Sequence, residues 1–157
     1  MPSIHSGHWD PVFAAAEETD TILCMHLGSA SRRPVVSSDA PASVIINLLP
    51  TQSVNSFVEL LWSSIWKRFP GLKVSLTEGD IGWIPYFLQR AEHTHEKHGG
   101  WTMDTFPNGG GPTDVFRKHF IVCFIDDAVG MRARPLGEGD VAPARSRRRF
   151  RARRRER

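Results

Sequence analysis

Leu72-Lys73-Val74-Ser75-Leu76-Thr77-Glu78-Gly79-Asp80-Ile81-Gly82-Trp83-Ile84-Pro85-Tyr86 is the stretch that decides the fold. Apolar and polar residues alternate over 72–77, the period of a strand. After a Gly-Asp turn the pattern changes, and Ile81 to about Glu96 reads as a helix in which Pro85 is tolerated because it falls in the first turn. A strand followed at once by a helix is the repeating unit of a parallel α/β sheet.

The flanking sequence repeats that rhythm. Upstream, Val54, Phe57, Val58, Leu61, Ile65 and Phe69 recur at intervals of three and four, which predicts a helix over 52–69 closed by Pro70-Gly71. Prolines 34, 41 and 50 break up residues 31–50, so this part reads as a loop with one short packed segment, Val44 to Leu49. Thr21 to Gly28 reads as a strand buried on both faces. Ahead of it Asp10-Pro11 and Val12 to Glu18 supply an N-cap, a proline at the first helical position and good helix formers. Downstream, residues 99–111 read as a loop ending in three glycines, Pro112-Thr113-Asp114 as a short helical turn, and Phe120 to Ile125 as a third buried strand.

The 157 residues make one ordinary domain, with 40% apolar residues, five Trp and nine Phe available for a core. The charge of +3 is uneven. Residues 145–157 hold nine Arg against Glu156, a net +8, which leaves −5 on residues 1–144. From Arg134 onward Arg, Ala, Pro and Gly dominate, and after Val141 the only apolar side chain larger than Ala is Phe150, so no core can form there. No run approaches the roughly 18 consecutive apolar residues of a membrane span, and Met1 to His5 does not start a secretory signal; no membrane association is expected. Cys24 and Cys123 sit in apolar runs, as free thiols do in the reducing cytoplasm.

Several residues are candidates for chemistry. His26 stands at the C-terminal end of the first strand, the edge where parallel α/β folds hold ligands and metals. It shares a strand face with Cys24, while Leu23 and Met25 suit packing under helices. The alternative is a half-buried histidine bonded to a loop. Glu78 ends the second strand, where a carboxylate can bind a hard cation, act as general base, or offset the dipole of the next helix. Strand parity sets Glu78 on the face of Leu76, Val74 and Leu72, a conflict that a bulge would relieve. His93, His95 and His98 read as the solvated end of a helix rather than a metal cluster, and His5 with His8 lacks a third ligand. The glycines at 109–111 do not follow a strand and lack the Lys of a phosphate loop; they read as a turn. The basic tail could neutralise phosphates, but aromatic interleaving is nearly absent.

Ser3 to Pro11, the strand ending Met25-His26-Leu27-Gly28-Ser29, the stretch 72–86 and His119 to Asp127 together resemble the amidohydrolase-related proteins, in the branch that includes aminocarboxymuconate semialdehyde decarboxylase. The resemblance covers roughly residues 3 to 134. It implies an α/β chain from a metal-dependent (β/α)8 barrel whose members are hydrolases and decarboxylases of small carboxylated or aromatic substrates. By that resemblance His26 matches the metal-binding histidine after strand five. Glu78 falls where many members carry a second histidine after strand six, which makes it a metal ligand or an acid/base catalyst and favours a harder ion. The divalent metal of full-length relatives would be Zn or Mn. The family's His-x-His on strand one and its Asp on strand eight have no counterpart here.

A whole barrel of this type takes about 250 residues. The expectation is therefore a partial barrel over residues 1–133, from about strand four or five to strand seven, with a disordered basic tail over 134–157 that reads as an out-of-frame product. Such a fragment of an amidohydrolase-related enzyme should show little or no turnover and could self-associate through exposed strand edges. The competing readings are a binding module whose Arg-rich arm takes nucleic acid, the less favoured partner, and a non-catalytic scaffold.

Overall fold

In the computed structural model of the chain, residues 2–26 and 34–133 are described. The Gly28-Ser29 turn and the Arg-rich stretch 134–157 lie outside the described residues.

Three strands, β1 (Leu23–His26), β2 (Val74–Thr77) and β3 (Phe120–Val122), form a parallel sheet in the order β1-β2-β3. The register pairs Leu23 with Val74 and Val74 with Phe120, then Met25 with Leu76 and Leu76 with Val122. Registered residues of parallel strands point to one side. Leu23, Met25, Val74, Leu76, Phe120 and Val122 therefore share a face, and against it lie Phe57 of α3 (Pro50–Leu61) and Trp66 of α4 (Ile65–Arg68), whose rings sit 5.2 and 5.4 Å from that of Phe120. The opposite face carries Cys24, His26, Ser75, Thr77 and Ile121. β1 is thus not buried on both faces as expected: Cys24 and His26 are exposed, because no described helix covers that side. The same register settles the face of β2: Leu72, Val74 and Leu76 are buried in the core and Lys73 is exposed.

The helix α1 (Asp10–Glu18) precedes β1, with Pro11 in its first turn and Trp9, rather than Asp10, at the N-cap. Asp10 instead pairs with Arg68 at 3.1 Å, tying α1 to α4. The helix expected over 52–69 is two helices. The chain turns at Trp62-Ser63-Ser64, and the buried indole N–H of Trp66 donates to the Leu60 carbonyl at 2.7 Å. A straight helix leaves that carbonyl no spare geometry for an indole; the turn supplies it and sends Ile65 and Trp66 inward.

The described part of the expected loop, from residue 34 to 41, carries no helix or strand, but the stretch expected to pack, Val44 to Leu49, falls in and just after a helix, α2 (Ala42–Leu48), none of whose residues is buried. Val44 and Ile46 stay exposed because α2 packs mainly along its own continuation, α3. Together Ala42–Leu61 is long and apolar enough, at a mean hydropathy of 1.2, to cross a membrane by length and composition, which the count of consecutive apolar residues did not foresee. Its second half places Phe57, Leu60 and Leu61 in the core.

The helix α5 (Ile84–Thr102) carries Pro85 in its first turn and runs six residues beyond the expected end, through Gly99-Gly100. After α6 (Pro112–His119), longer than the turn expected there, β3 stops at Val122, short of Ile125. The helix α7 (Ala128–Arg132) closes the described residues.

Candidate active site

The C-terminal ends of β1 and β2 bring His26 and Glu78 together. His26 Nε2 lies 3.4 Å from Glu78 Oε2, with both side chains about half exposed. The register sets His26 opposite Thr77, so Glu78 is one residue past the pair. No bulge brings it back. Glu78 takes a left-handed backbone (φ 58°), and so does Asp80 (φ 56°). Leaving the strand at Glu78 frees its side chain from strand alternation and swings the carboxylate over the open face.

That conformation is held from below and behind. The Glu78 N–H donates to Cys123 Sγ at 3.0 Å, so the residue after β3 fixes the residue after β2. Beyond Glu78, the Trp83 indole donates to the Gly79 carbonyl at 2.7 Å. Asp127 is the third support, and its role was not read from the sequence. Its Oδ2 accepts from the Ile81 and Gly82 N–H groups at 2.8 and 2.6 Å, while Oδ1 accepts from Gly130 N–H at 2.7 Å and caps α7. Burial works against ionisation of Asp127, but the backbone hydrogen bonds outweigh it and hold the carboxyl below its ordinary value. Asp80 moves the other way: burial first, then the charges of Asp127 and Asp126, push its carboxyl up. The available signal was Gly82 and Gly130, whose missing side chains let α7 close on the start of α5.

The remaining candidates do not join the site. His93, His95 and His98 lie inside α5 rather than at its end. His95 packs edge-on against Phe106 at 4.9 Å, and His98 Nδ1 accepts from the Trp101 indole at 3.2 Å. His8 sits edge-on to Trp9 at 5.0 Å. The glycine run forms the turn into α6, with Gly111 at its N-cap. Among the described residues no group of three or more His, Cys, Asp or Glu could hold a metal ion. Among the described residues the donor pair at this rim is therefore one imidazole nitrogen and one carboxylate oxygen. That chemistry suits a divalent cation but falls short of the three or four protein ligands of a catalytic site.

No protein-family model matches the sequence, and no curated protein matches it. Solved structures do. The chain is similar to 5-carboxyvanillate decarboxylase from Sphingomonas paucimobilis, at 24% identity and a TM-score of 0.65 over 85% of this chain and 41% of that one. It is similar to an amidohydrolase from Mycobacterium avium subsp. paratuberculosis K-10, at 16% identity and a TM-score of 0.60 over 84% and 34%. A dihydroxybenzoic acid decarboxylase from Polaromonas sp. JS666, solved with manganese and the inhibitor 2-nitroresorcinol, shares 16% identity and a TM-score of 0.53 over 88% and 42%. All three are amidohydrolase-superfamily members, and the chain spans about two-fifths or less of each. What it shares with them is the fold: its parallel strands and helices match a part of the TIM-barrel-like architecture of these enzymes.

Proposed function

We propose that this chain is a portion, from about strand four or five to strand seven, of a metal-dependent hydrolase or decarboxylase acting on a small carboxylated aromatic compound. The observation that carries this reading is the approach of His26 Nε2 and Glu78 Oε2 to 3.4 Å at the C-terminal ends of adjacent parallel strands. Parallel barrels do their chemistry at that rim. The names of two similar structures, a 5-carboxyvanillate and a dihydroxybenzoic acid decarboxylase, support the substrate class, and the manganese of the latter supports a divalent ion such as Mn or Zn.

In this reading His26 offers Nε2 as a ligand, and Glu78 offers a carboxylate oxygen either as a second ligand or as the group that takes and returns a proton. When bound, the ion would polarise a substrate oxygen or a water molecule. Asp127 and Cys123 act one step back, by holding residues 78–82 in place. With two ligands the chain by itself binds metal weakly and turns over little or no substrate. Its free cysteines, Cys24 and Cys123, fit a cytoplasmic location.

Equilibrium dialysis of the purified chain against Mn or Zn, followed by metal analysis, tests the reading. Weak binding that is lost in both His26→Ala and Glu78→Gln supports it. Binding that neither substitution changes removes the site. Release of carbon dioxide from a carboxylated aromatic, abolished by His26→Ala, would overturn the inactivity of the isolated chain.

A further inference from the structure

Among the described residues the sheet stops at three strands, so the outer edges of β1 and β3 present backbone N–H and C=O groups to no described strand. Exposed edges of this kind are templates for another strand. Exposed apolar residues neighbour both strands in sequence: Ile22 directly precedes β1, and Ile125 follows β3 by three residues. The charges at the N-terminal rim differ between the two edges. Glu18 and Asp20 lie exposed just before β1, with only a loose contact from Asp20 to Lys73 at 3.9 Å, while Arg117 and Lys118 lie exposed just before β3.

We propose that two copies of this chain join head to tail, the outer edge of β3 in one copy lying parallel beside the outer edge of β1 in the other. Parallel pairing sets the N-terminal ends of the two strands together, so Arg117 and Lys118 of one copy meet Glu18 and Asp20 of the next. Antiparallel pairing would set Asp126 and Asp127 against those same acidic residues. Complementary charge therefore selects the parallel arrangement. It continues the sheet in the sense in which it already runs, and the interface is heterologous, two different surfaces of one chain.

Parallel addition also sets the C-terminal ends together. Cys123 and Asp126 of one copy then come beside Cys24 and His26 of the other, on the open face or at its rim. Association needs only the edges and the charges. A further consequence, that a second copy lends Asp126 or Cys123 to the incomplete donor pair, rests on the metal reading above.

The two cysteines of the chain make the contact measurable, since both are free. The wild-type chain, treated with a short bismaleimide in the presence of a chelator, should give covalent dimers and higher oligomers, since a head-to-tail contact leaves an open edge at each end. Cys24→Ser alone and Cys123→Ser alone should give no cross-linked species, and mixing the two variants should give a covalent dimer. Adding Arg117→Glu and Lys118→Glu to the Cys24→Ser chain should cut the mixed yield several-fold. Giving its Cys123→Ser partner Glu18→Lys and Asp20→Lys should recover it, which also shows that both variants fold. A chain carrying a single cysteine that cross-links to itself, a mixed yield indifferent to charge reversal, or a wild-type chain that light scattering finds monomeric at every concentration would overturn the proposal. Because the chelator removes metal, a failed metal titration leaves this result standing, and the reverse holds too.

Discussion

His26 and Glu78 approach to 3.4 Å although the sheet pairs His26 with Thr77, and the left-handed backbone of Glu78 makes up the difference. A bulky residue at φ 58° carries a conformational cost of about 1 kcal/mol that glycine does not. Glu78→Gly is therefore expected to leave thermal stability unchanged or raise it by up to about 1 kcal/mol while losing the contact to His26. Glu78→Ala keeps the strain and loses the contact, and should unfold at a lower temperature than Glu78→Gly. Paired calorimetric scans of the two variants check this; an alanine variant as stable as the glycine one would show that the backbone is not strained there.

Asp127 ties the start of α5 to α7 through three backbone N–H groups. Its carboxyl is held below its ordinary value, so the folded chain binds a proton there less readily than the unfolded chain does. The stabilisation is present above the ordinary carboxylate range and is lost as pH falls through the lowered value. Asp127→Asn should destabilise the chain at pH 7, and the gap to wild type should narrow on acidification. Urea midpoints at pH 7 and in acid measure both ends.

His119 is buried at the base of β3, stacked on Trp66 at 4.5 Å, with Nδ1 donating to the Leu72 carbonyl at 2.7 Å. Burial lowers its tendency to protonate, and Lys118 adds to this, against the opposing pull of the Leu72 carbonyl and Glu17. The folded state therefore keeps the neutral ring. Its contribution is full above the ordinary histidine value near 6.5 and declines as pH falls below it. Wild type should lose stability between neutral and mildly acid pH, with Trp66 fluorescence as the probe, and His119→Gln should flatten that slope even if it is less stable throughout.

Gly130 sits where a methyl group would come within 2.8 Å of the Gly82 backbone nitrogen and 2.7 Å of Asp127 Oδ2. Backbone cannot move aside as a side-chain tip does. Gly130→Ala should cost about 1–3 kcal/mol and should expose the amides of Ile81 and Gly82 to hydrogen exchange. Unchanged exchange at those two amides would disprove the clamp.

Much of the strand–helix order was legible in the sequence because it rests on local pattern. Alternation over 72–77 and the three-four spacing from Val54 to Leu61 report a face that must be buried, whichever partner buries it. The parity of β1 was legible for the same reason: Leu23 and Met25 turn to the core and Cys24 and His26 away from it, as their polarity asks. The break at 62–64 was not legible, because it depends on where Trp66 finds an acceptor, and that acceptor is a helix carbonyl. Nor was the length of α5: Gly99 and Gly100 look like breakers, yet the helix carries them to a left-handed end at Met103.

The sequence by itself determined the alternation of parallel strands with helices and the placing of a histidine and a glutamate at strand ends, since periodicity and turn residues act over a few neighbours. Only the tertiary structure decided which way Glu78 points and what Asp127 does. Those depend on a thiol 45 residues along the chain that accepts the Glu78 N–H and on a carboxylate that gathers amides 45 and 46 residues before it. Hydrogen bonds over such separations leave no periodic trace, because each needs a single pair of groups brought together by the packing of everything between them.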